Sequence, residues 1–163
     1  SSLKVLLKSN NLVESVSSLL NKNKELEAQI NKFDILRKNS VKDEIKKKIN
    51  SLNNSNIILH HFKGEKMDFV KKIGFELEKE FGNIIFLATI ELNQKPFIVL
   101  LISKTYIKEF QLDARIIIKD LSKHIEGSGG GQDFLSTAGG KKVEGLKSVL
   151  LDGQSYFNKV LNN

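Results

Sequence analysis

The strongest constraint in the sequence is an apolar seam near its beginning, in which large apolar residues follow a spacing of 4-3-7-4-3. The spacing becomes a continuous heptad pattern once Asn23 is admitted at an a position, and it predicts an amphipathic helix. Such a helix can pack on the chain's own core or pair with another helix, and the spacing leaves both alternatives open. The seam consists of Leu12, Val16, Leu19, Leu26, Ile30 and Phe33.

A second, shorter apolar stripe follows a polar break at residues 38–40. Ser40 is a residue type that favours the N-cap, and Asp43 occupies the third helical position, so the break predicts the start of a second helix. We therefore interpret residues 1–56 as a helical arm, either an antiparallel hairpin or a coiled coil. The second stripe comprises Val41, Ile45, Ile49 and Leu52. The expected contacts of an oligomeric arm are Leu19, Leu26, Ile30 and Phe33.

Beyond residue 56 the pattern changes to one of strands alternating with helices, which predicts a small α+β domain over residues 57–163. Two of the predicted strands are apolar on both faces, so we expect a well-buried sheet that helices cover on at least one side. The predicted elements are a strand at Ile57–Phe62, a helix at Met67–Phe81 ended by Gly82, strands at Ile84–Leu92 and Phe97–Ser103 joined by a turn over 93–96, and helices at Ala114–Ile125 and Val143–Leu161.

The composition excludes several classes of protein. The chain of 163 residues has no Cys, which excludes a disulfide scaffold, a zinc ribbon and thiol chemistry. The absence of Cys is compatible with a reducing cytosol, and we expect a cytoplasmic protein. The apolar runs are far shorter than the roughly 20 residues of a membrane-spanning helix, so we expect no membrane partner. The net charge of +7 favours a polyanionic partner. The start at Ser1-Ser2 without Met indicates a piece of a longer protein.

Glycines are concentrated in one segment, since six of the eleven lie between Gly127 and Gly140. Consecutive glycines let backbone N–H groups approach an anion without a Cβ in the way, and the following helix would offer its N-terminus to the same anion. We therefore interpret residues 127–140 as a phosphate-binding loop, with a flexible linker as the alternative. The segment lacks the ending of a Walker loop, and it follows a helix rather than the strand that precedes a dinucleotide fingerprint.

Two short motifs in this segment resemble those of a known family. Gly-Gly-Gly at 129–131 and Ala-Gly-Gly at 138–140, preceded by a helix, resemble the signature of the DHH-associated domain at the C-terminus of alanyl-tRNA synthetases. The resemblance extends over essentially the whole chain, including the arm, the two apolar strands and the helix from Ala114. Gln-Asp-Phe at 132–134 departs from the Arg or His, Pro and Asp of many members, and is similar to the bacteroidete branch of the family.

The resemblance implies a noncatalytic domain that binds the outer corner of alanine tRNA, where the D and T loops meet, and links aminoacylation with editing in an ATP-dependent alanine-tRNA ligase. It implies that the remainder of the synthetase is a partner, and that ATP, magnesium and zinc belong to other domains, with no cofactor in this fragment. One alternative is a dimerisation module of the same enzyme, a homodimer through the arm. Another is the nucleic-acid-binding accessory domain of a DHH phosphoesterase, whose usual form lacks the arm.

The candidate RNA contacts surround the glycine segment. Cationic side chains there would hold phosphates rather than read bases, and Phe134 would stack on an unpaired base. The candidates are Arg115, Lys123, Gly129, Gly130, Gly131, Gln132, Phe134, Gly139, Gly140, Lys141 and Lys142.

The three histidines do not predict a metal site. His60 and His61 are adjacent in a predicted strand, so their side chains point to opposite faces and cannot easily ligate one ion. His124 precedes the glycine segment and would reach a phosphate, or it is a solvated residue at a helix end. We therefore expect neither a metal site nor a catalytic residue in this chain.

Overall fold

A computed structural model describes residues 2–8, 11–51 and 57–162. Internal contacts divide the chain into two compact units, Ser1–Asp43 and Glu44–Asn163. The predicted boundary follows residue 56. By contacts, the last turns of the arm helix instead belong to the second unit.

The arm contains two helices, α1 (Ser2–Leu6) and α2 (Leu12–Ser51). Since α2 is one uninterrupted helix of 40 residues, the prediction of a helical hairpin with an N-cap at Ser40 is wrong. No Pro or Gly occurs at 38–40, and Lys, Asn and Ser each cost a helix interior well under about 1 kcal/mol. Leu52, the last position of the second stripe, lies outside the described residues.

The apolar side chains of α2 differ in burial between the two units. In the second unit Ile45 is only 1% exposed. In the first unit most positions of the heptad seam are exposed. The seam positions Leu19, Leu26, Ile30 and Phe33 are 47–70% exposed.

The second unit is built on a five-stranded mixed sheet in the order β1-β2-β3-β5-β4, with β1 parallel to β2 and every other pair antiparallel. The predicted α+β class with a helical arm is confirmed. The elements are β1 (Ile57–Lys63), α3 (Met67–Phe81), β2 (Ile85–Leu92), β3 (Lys95–Ile102), α4 (Lys104–Phe110), α5 (Ala114–Leu121), a 3-10 turn (Ser122–Ile125), β4 (Ser128–Gly131), β5 (Leu135–Gly139), a 3-10 turn (Val143–Gly145) and α6 (Leu146–Leu161).

Helices cover both faces of the central strands, as their apolar pattern predicts. On one face α3 lies so close that a Cβ at Gly74 would come within 2.7 Å of the Phe86 ring. On the other face α5 and α6 close the main core, and Gly153 of α6 lets that helix approach Leu87. Phe86 and Leu87 are both fully buried, so successive residues of β2 serve the two layers.

Three local features differ from the predictions. The turn between β2 and β3 has only two residues, Asn93 and Gln94, both with positive φ, so the strand resumes at Lys95. The short helix α4 is missing from the prediction. The helix from Ala114 ends at Leu121, where the backbone tightens into a 3-10 turn.

No helix among residues 2–8, 11–51 and 57–162 has the length and apolarity to cross a membrane.

Candidate nucleic-acid interface

The glycine-rich segment is a β-hairpin at the edge of the sheet, so the prediction of a loop is wrong. β4 and β5 pair antiparallel with Gly129 opposite Ala138, and β5 also pairs with β3. Glycine is a poor strand former on average, which is why the pattern indicates a loop. Here the pairing with β5 and the packing of α5 on β4 and β5 hold the segment extended.

Several of the glycines are explained by close approach between backbones. A Cβ at Gly129 would overlap the carbonyl oxygen of Thr137, and one at Gly140 would overlap that of Ile125. Gly130 differs, because a Cβ there would meet nothing within 4 Å. Only Gly130 of these three has room for a side chain, so strand packing accounts for the glycines at 129 and 140.

The backbone N–H groups at the end of β5 are already engaged. That of Gly140 donates to the carbonyl of Pro96 at 3.1 Å. Those of Lys141 and Lys142 both donate to the carbonyl of Ile125, at 2.8 and 3.0 Å. These three groups are therefore unavailable to a phosphate, and the interpretation as a backbone anion cradle is wrong at this end of the segment. Anion binding there would depend on lysine side chains.

The structure places the predicted RNA contacts at two ends of the sheet rather than in one cluster. Gln132 and Phe134 lie in the turn between β4 and β5, whereas Gly140, Lys141 and Lys142 follow the opposite end of β5. The five residues of β5 span about 13 Å. A single phosphate cannot contact both ends, but an extended RNA backbone can.

Two of the predicted cations are paired with carboxylates. Arg115 donates to Asp113 through Nε and Nη2, the latter at 2.6 Å. These hydrogen bonds lower the pKa of Asp113 and raise that of Arg115. Lys123 contacts Asp120 at 2.6 Å on the surface. The charges of Arg115 and Lys123 are thus compensated locally, which weakens both as phosphate contacts.

Lys141 and Lys142 keep their charge available. Both side chains are exposed, and neither forms an ion pair with another described residue. Lys63 and Lys95 lie at the same end of the sheet, because Lys63 is in register with Glu91 and Lys95 with Leu92. Sequence reasoning missed these two residues, since only the strand register brings them near the end of β5.

An aromatic and a cation meet at the other end. Phe134 is half-buried in the turn, and Lys104 Nζ lies 5.6 Å from the centre of its ring, within the range of a cation–π contact. Lys104 was also missed, because α4 was not predicted. Tyr106 is buried and packs edge-on against Phe110 at 5.5 Å, so Phe110 packs against the core rather than facing a nucleic acid.

The three histidine side chains have different partners. His61 Nδ1 is 3.0 Å from Thr89 Oγ1, whereas His60 packs against the ring of Phe62. Burial, helped by Lys48, lowers the pKa of His60. His124 Nε2 lies 2.6 Å from a carboxylate oxygen of Asp152, so it is tied to α6. Among the described residues no group of three or more His, Asp or Glu side chains is placed to hold a metal ion.

Several curated proteins that are similar to this chain are alanine--tRNA ligases. That of Christiangramia forsetii is 32% identical over 153 residues, covering 91% of this chain and 17% of the ligase. Those of Cytophaga hutchinsonii and Parabacteroides distasonis are 28% and 33% identical over 139 and 138 residues, or 85% and 83% of this chain. The chain spans about a sixth of the length of these relatives. No protein-family model matches the sequence.

Among solved structures, the crystal structure of the C-Ala domain from Aquifex aeolicus alanyl-tRNA synthetase is similar to this fold. The TM-score is 0.54 at 18% identity, and the match covers 68% of this chain and 96% of that domain. The chain belongs with the C-terminal domains of alanyl-tRNA synthetases. Because the match covers 96% of the C-Ala domain, nearly all of that domain's fold has a counterpart in this chain.

Proposed function

We propose that this chain is the tRNA-binding domain of an alanine-tRNA ligase. It would hold the outer corner of alanine tRNA, where the D and T loops meet, and so link aminoacylation with editing on one tRNA. The observation that carries the proposal is that three alanine--tRNA ligases are similar to this chain over 83–91% of its length. The net charge of +7 suits a polyanionic partner.

The side chains that would contact RNA first are Lys141 and Lys142. Both are exposed, neither forms an ion pair with a described carboxylate, and both follow the glycine hairpin directly. Lysine is a point charge that binds phosphate without reading sequence. These contacts would fix the position of the RNA on the domain and would weaken with salt, because each phosphate contact releases counterions.

The test of this surface is the double variant Lys141→Glu/Lys142→Glu, assayed by fluorescence anisotropy with alanine tRNA over a range of salt concentrations. We expect affinity to fall about tenfold or more and the log–log salt slope to become shallower by about two contacts. The matched control is Lys72→Glu/Lys79→Glu, which makes the same charge change at exposed positions on α3. Equal losses in both variants, or no loss in the first, would remove the end of β5 as the binding surface.

The linking role has its own assay. A synthetase truncated before Ser1 should charge tRNA poorly at subsaturating tRNA, and adding this chain in trans should raise its rate. The reason is that binding the corner and the body of one tRNA together makes the second contact nearly intramolecular. We expect the chain alone neither to charge nor to deacylate tRNA. Inhibition by sequestered tRNA, without stimulation, would contradict the linking role and leave tRNA binding intact.

A second candidate function is dimerisation through the arm. It is favoured by the exposure of the heptad seam, where Phe33 is 70% and Leu26 47% exposed. A paired arm would bury these side chains and give Asn23 a register-fixing role. Leu26→Lys should then convert a dimer to a monomer in sedimentation, whereas Asn21→Lys, on the far side of the helix, should not. A wild-type chain that is monomeric at high concentration would exclude this function.

A further inference from the structure

A cleft at one end of the sheet is not used by the contacts proposed above. It has a volume of about 350 Å³ and lies between the ends of β1 and β2 and the start of α6. Its apolar wall is formed by Val143, Leu146 and Leu150. Its polar lining consists of His61, Glu91, Glu144 and Lys147, and of the two carboxylates Glu91 is the less exposed. The volume is at the lower end of the range for small-ligand pockets, which suits one small planar group.

The cleft adjoins the lysines that follow β5. Glu91 is in register with Pro96, and the carbonyl of Pro96 accepts the N–H of Gly140 at 3.1 Å. Glu91, Pro96 and Gly140 therefore lie side by side on three neighbouring segments. Lys142 immediately precedes Val143, which lines the cleft. An RNA strand held by Lys141 and Lys142 thus passes the mouth of the cleft.

The side chains that line the cleft favour a base over a phosphate. The Glu91 carboxylate, whose side chain is 26% exposed and 3.7 Å from Lys63 Nζ, accepts hydrogen bonds and repels anions. The His61 ring is steadied by its hydrogen bond to Thr89 and offers a flat surface for stacking. Lys147 is an exposed lining residue and can hold a phosphate outside the cleft, whereas Lys63 is paired with Glu91. The arrangement suits a base inside and its phosphates outside.

We propose that this cleft takes one unpaired nucleobase that carries an amino group, with Glu91 as the acceptor. The inference rests on the proposed function, because it places the base on the RNA that Lys141 and Lys142 hold. Cytosine, adenine and guanine each present an exocyclic amino group to a carboxylate, whereas uracil presents only an N3–H flanked by two carbonyl oxygens that the carboxylate repels. Glu91 is then a specificity-determining residue, while the lysines supply affinity without specificity.

The test compares short oligoribonucleotides of cytidine and of uridine, titrated against the full chain by fluorescence anisotropy at neutral pH. Wild type should bind oligocytidine about tenfold more tightly, in line with the discrimination given by one base-edge contact. Glu91→Gln keeps the shape and adds a donor, so it should abolish the preference while alanine tRNA still binds. Glu109→Gln, an exposed carboxylate on α4, makes the same charge change and should keep the preference.

Four outcomes would overturn the inference. The first two are equal binding of the two oligonucleotides to wild type and an unchanged preference in Glu91→Gln. The third is no binding of either oligonucleotide up to millimolar concentration. In these cases retained binding of alanine tRNA leaves the proposed function standing. The fourth is that wild type binds neither the oligonucleotides nor alanine tRNA, which would contradict the proposed function as well as the base-binding cleft.

Discussion

The two hairpins of the sheet are built on opposite physical principles. The central hairpin, β2–β3, carries mostly β-branched, aromatic and leucine side chains on both faces, and residues 85–90 are fully buried. The edge hairpin, β4–β5, has glycines along β4, where a Cβ at Gly129 would overlap the Thr137 carbonyl. The first hairpin is held by side chains that fill a core, and the second by backbones that approach closely.

The difference shows that a glycine-rich segment can form a strand as well as a loop. Side-chain packing specifies a strand through its apolar pattern, whereas close backbone approach specifies it through the absence of Cβ atoms. Gly129 is therefore constrained by close backbone approach, as the leucines of the central hairpin are constrained by packing, whereas Gly130 is not.

The largest effect is expected from truncation in the central hairpin. Leu100 is fully buried in the main core and lies opposite Ser136 of β5. Leu100→Ala should lower the free energy of unfolding by about 3 kcal/mol, since it removes buried apolar surface and leaves a cavity. Leu135→Ala, in the half-buried part of β5, should cost about 1 kcal/mol. Urea unfolding measures both, and equal losses would contradict the contrast between the hairpins.

A smaller but more diagnostic effect is expected from alanine scanning of β4. Gly129→Ala should cost about 2 kcal/mol, because the added methyl must displace the β5 backbone. Gly130→Ala, one residue away, should change stability by less than about 0.5 kcal/mol because nothing lies within 4 Å of its Cβ. If the two variants unfold at the same temperature, close approach does not explain the glycines of β4.

The smallest effect is a pH dependence at β1, the strand that flanks β2 on its other side. Burial is the main cause of the lowered pKa of His60, with Lys48 and His61 acting in the same direction and Glu44 opposing them. Below about pH 6.5, the ordinary pKa of histidine, His60 is therefore protonated in the unfolded chain but stays neutral in the folded chain until the pH falls further. Stability contributed by neutral His60 is present above that pH and is lost as the pH falls.

Urea unfolding of wild type and His60→Gln between about pH 7.5 and pH 5.5 measures this loss. Wild type should lose stability over that interval more steeply than the variant. A variant with the same slope as wild type would assign the pH dependence to other groups.

The apolar pattern was sufficient to predict β1, α3 and the central hairpin, because their side chains carry the packing information. It was insufficient for the edge hairpin, where the strand-forming contacts are between backbones and leave no apolar pattern. It also misplaced a helix start at Ser40, because a good N-cap residue is tolerated inside a long helix such as α2. Of the candidate site, Lys141 and Lys142 were identified from their sequence position, while Glu91 and Lys63 could be found only from strand register.

The proposal that this domain binds the outer corner of alanine tRNA is tested most directly by hydroxyl-radical footprinting of that tRNA at a saturating concentration of the chain. Protection should fall on the backbone of the D and T loops and should disappear there with Lys141→Glu/Lys142→Glu. Protection confined to the acceptor stem or the anticodon loop, or no protection when binding is saturated, would contradict the account.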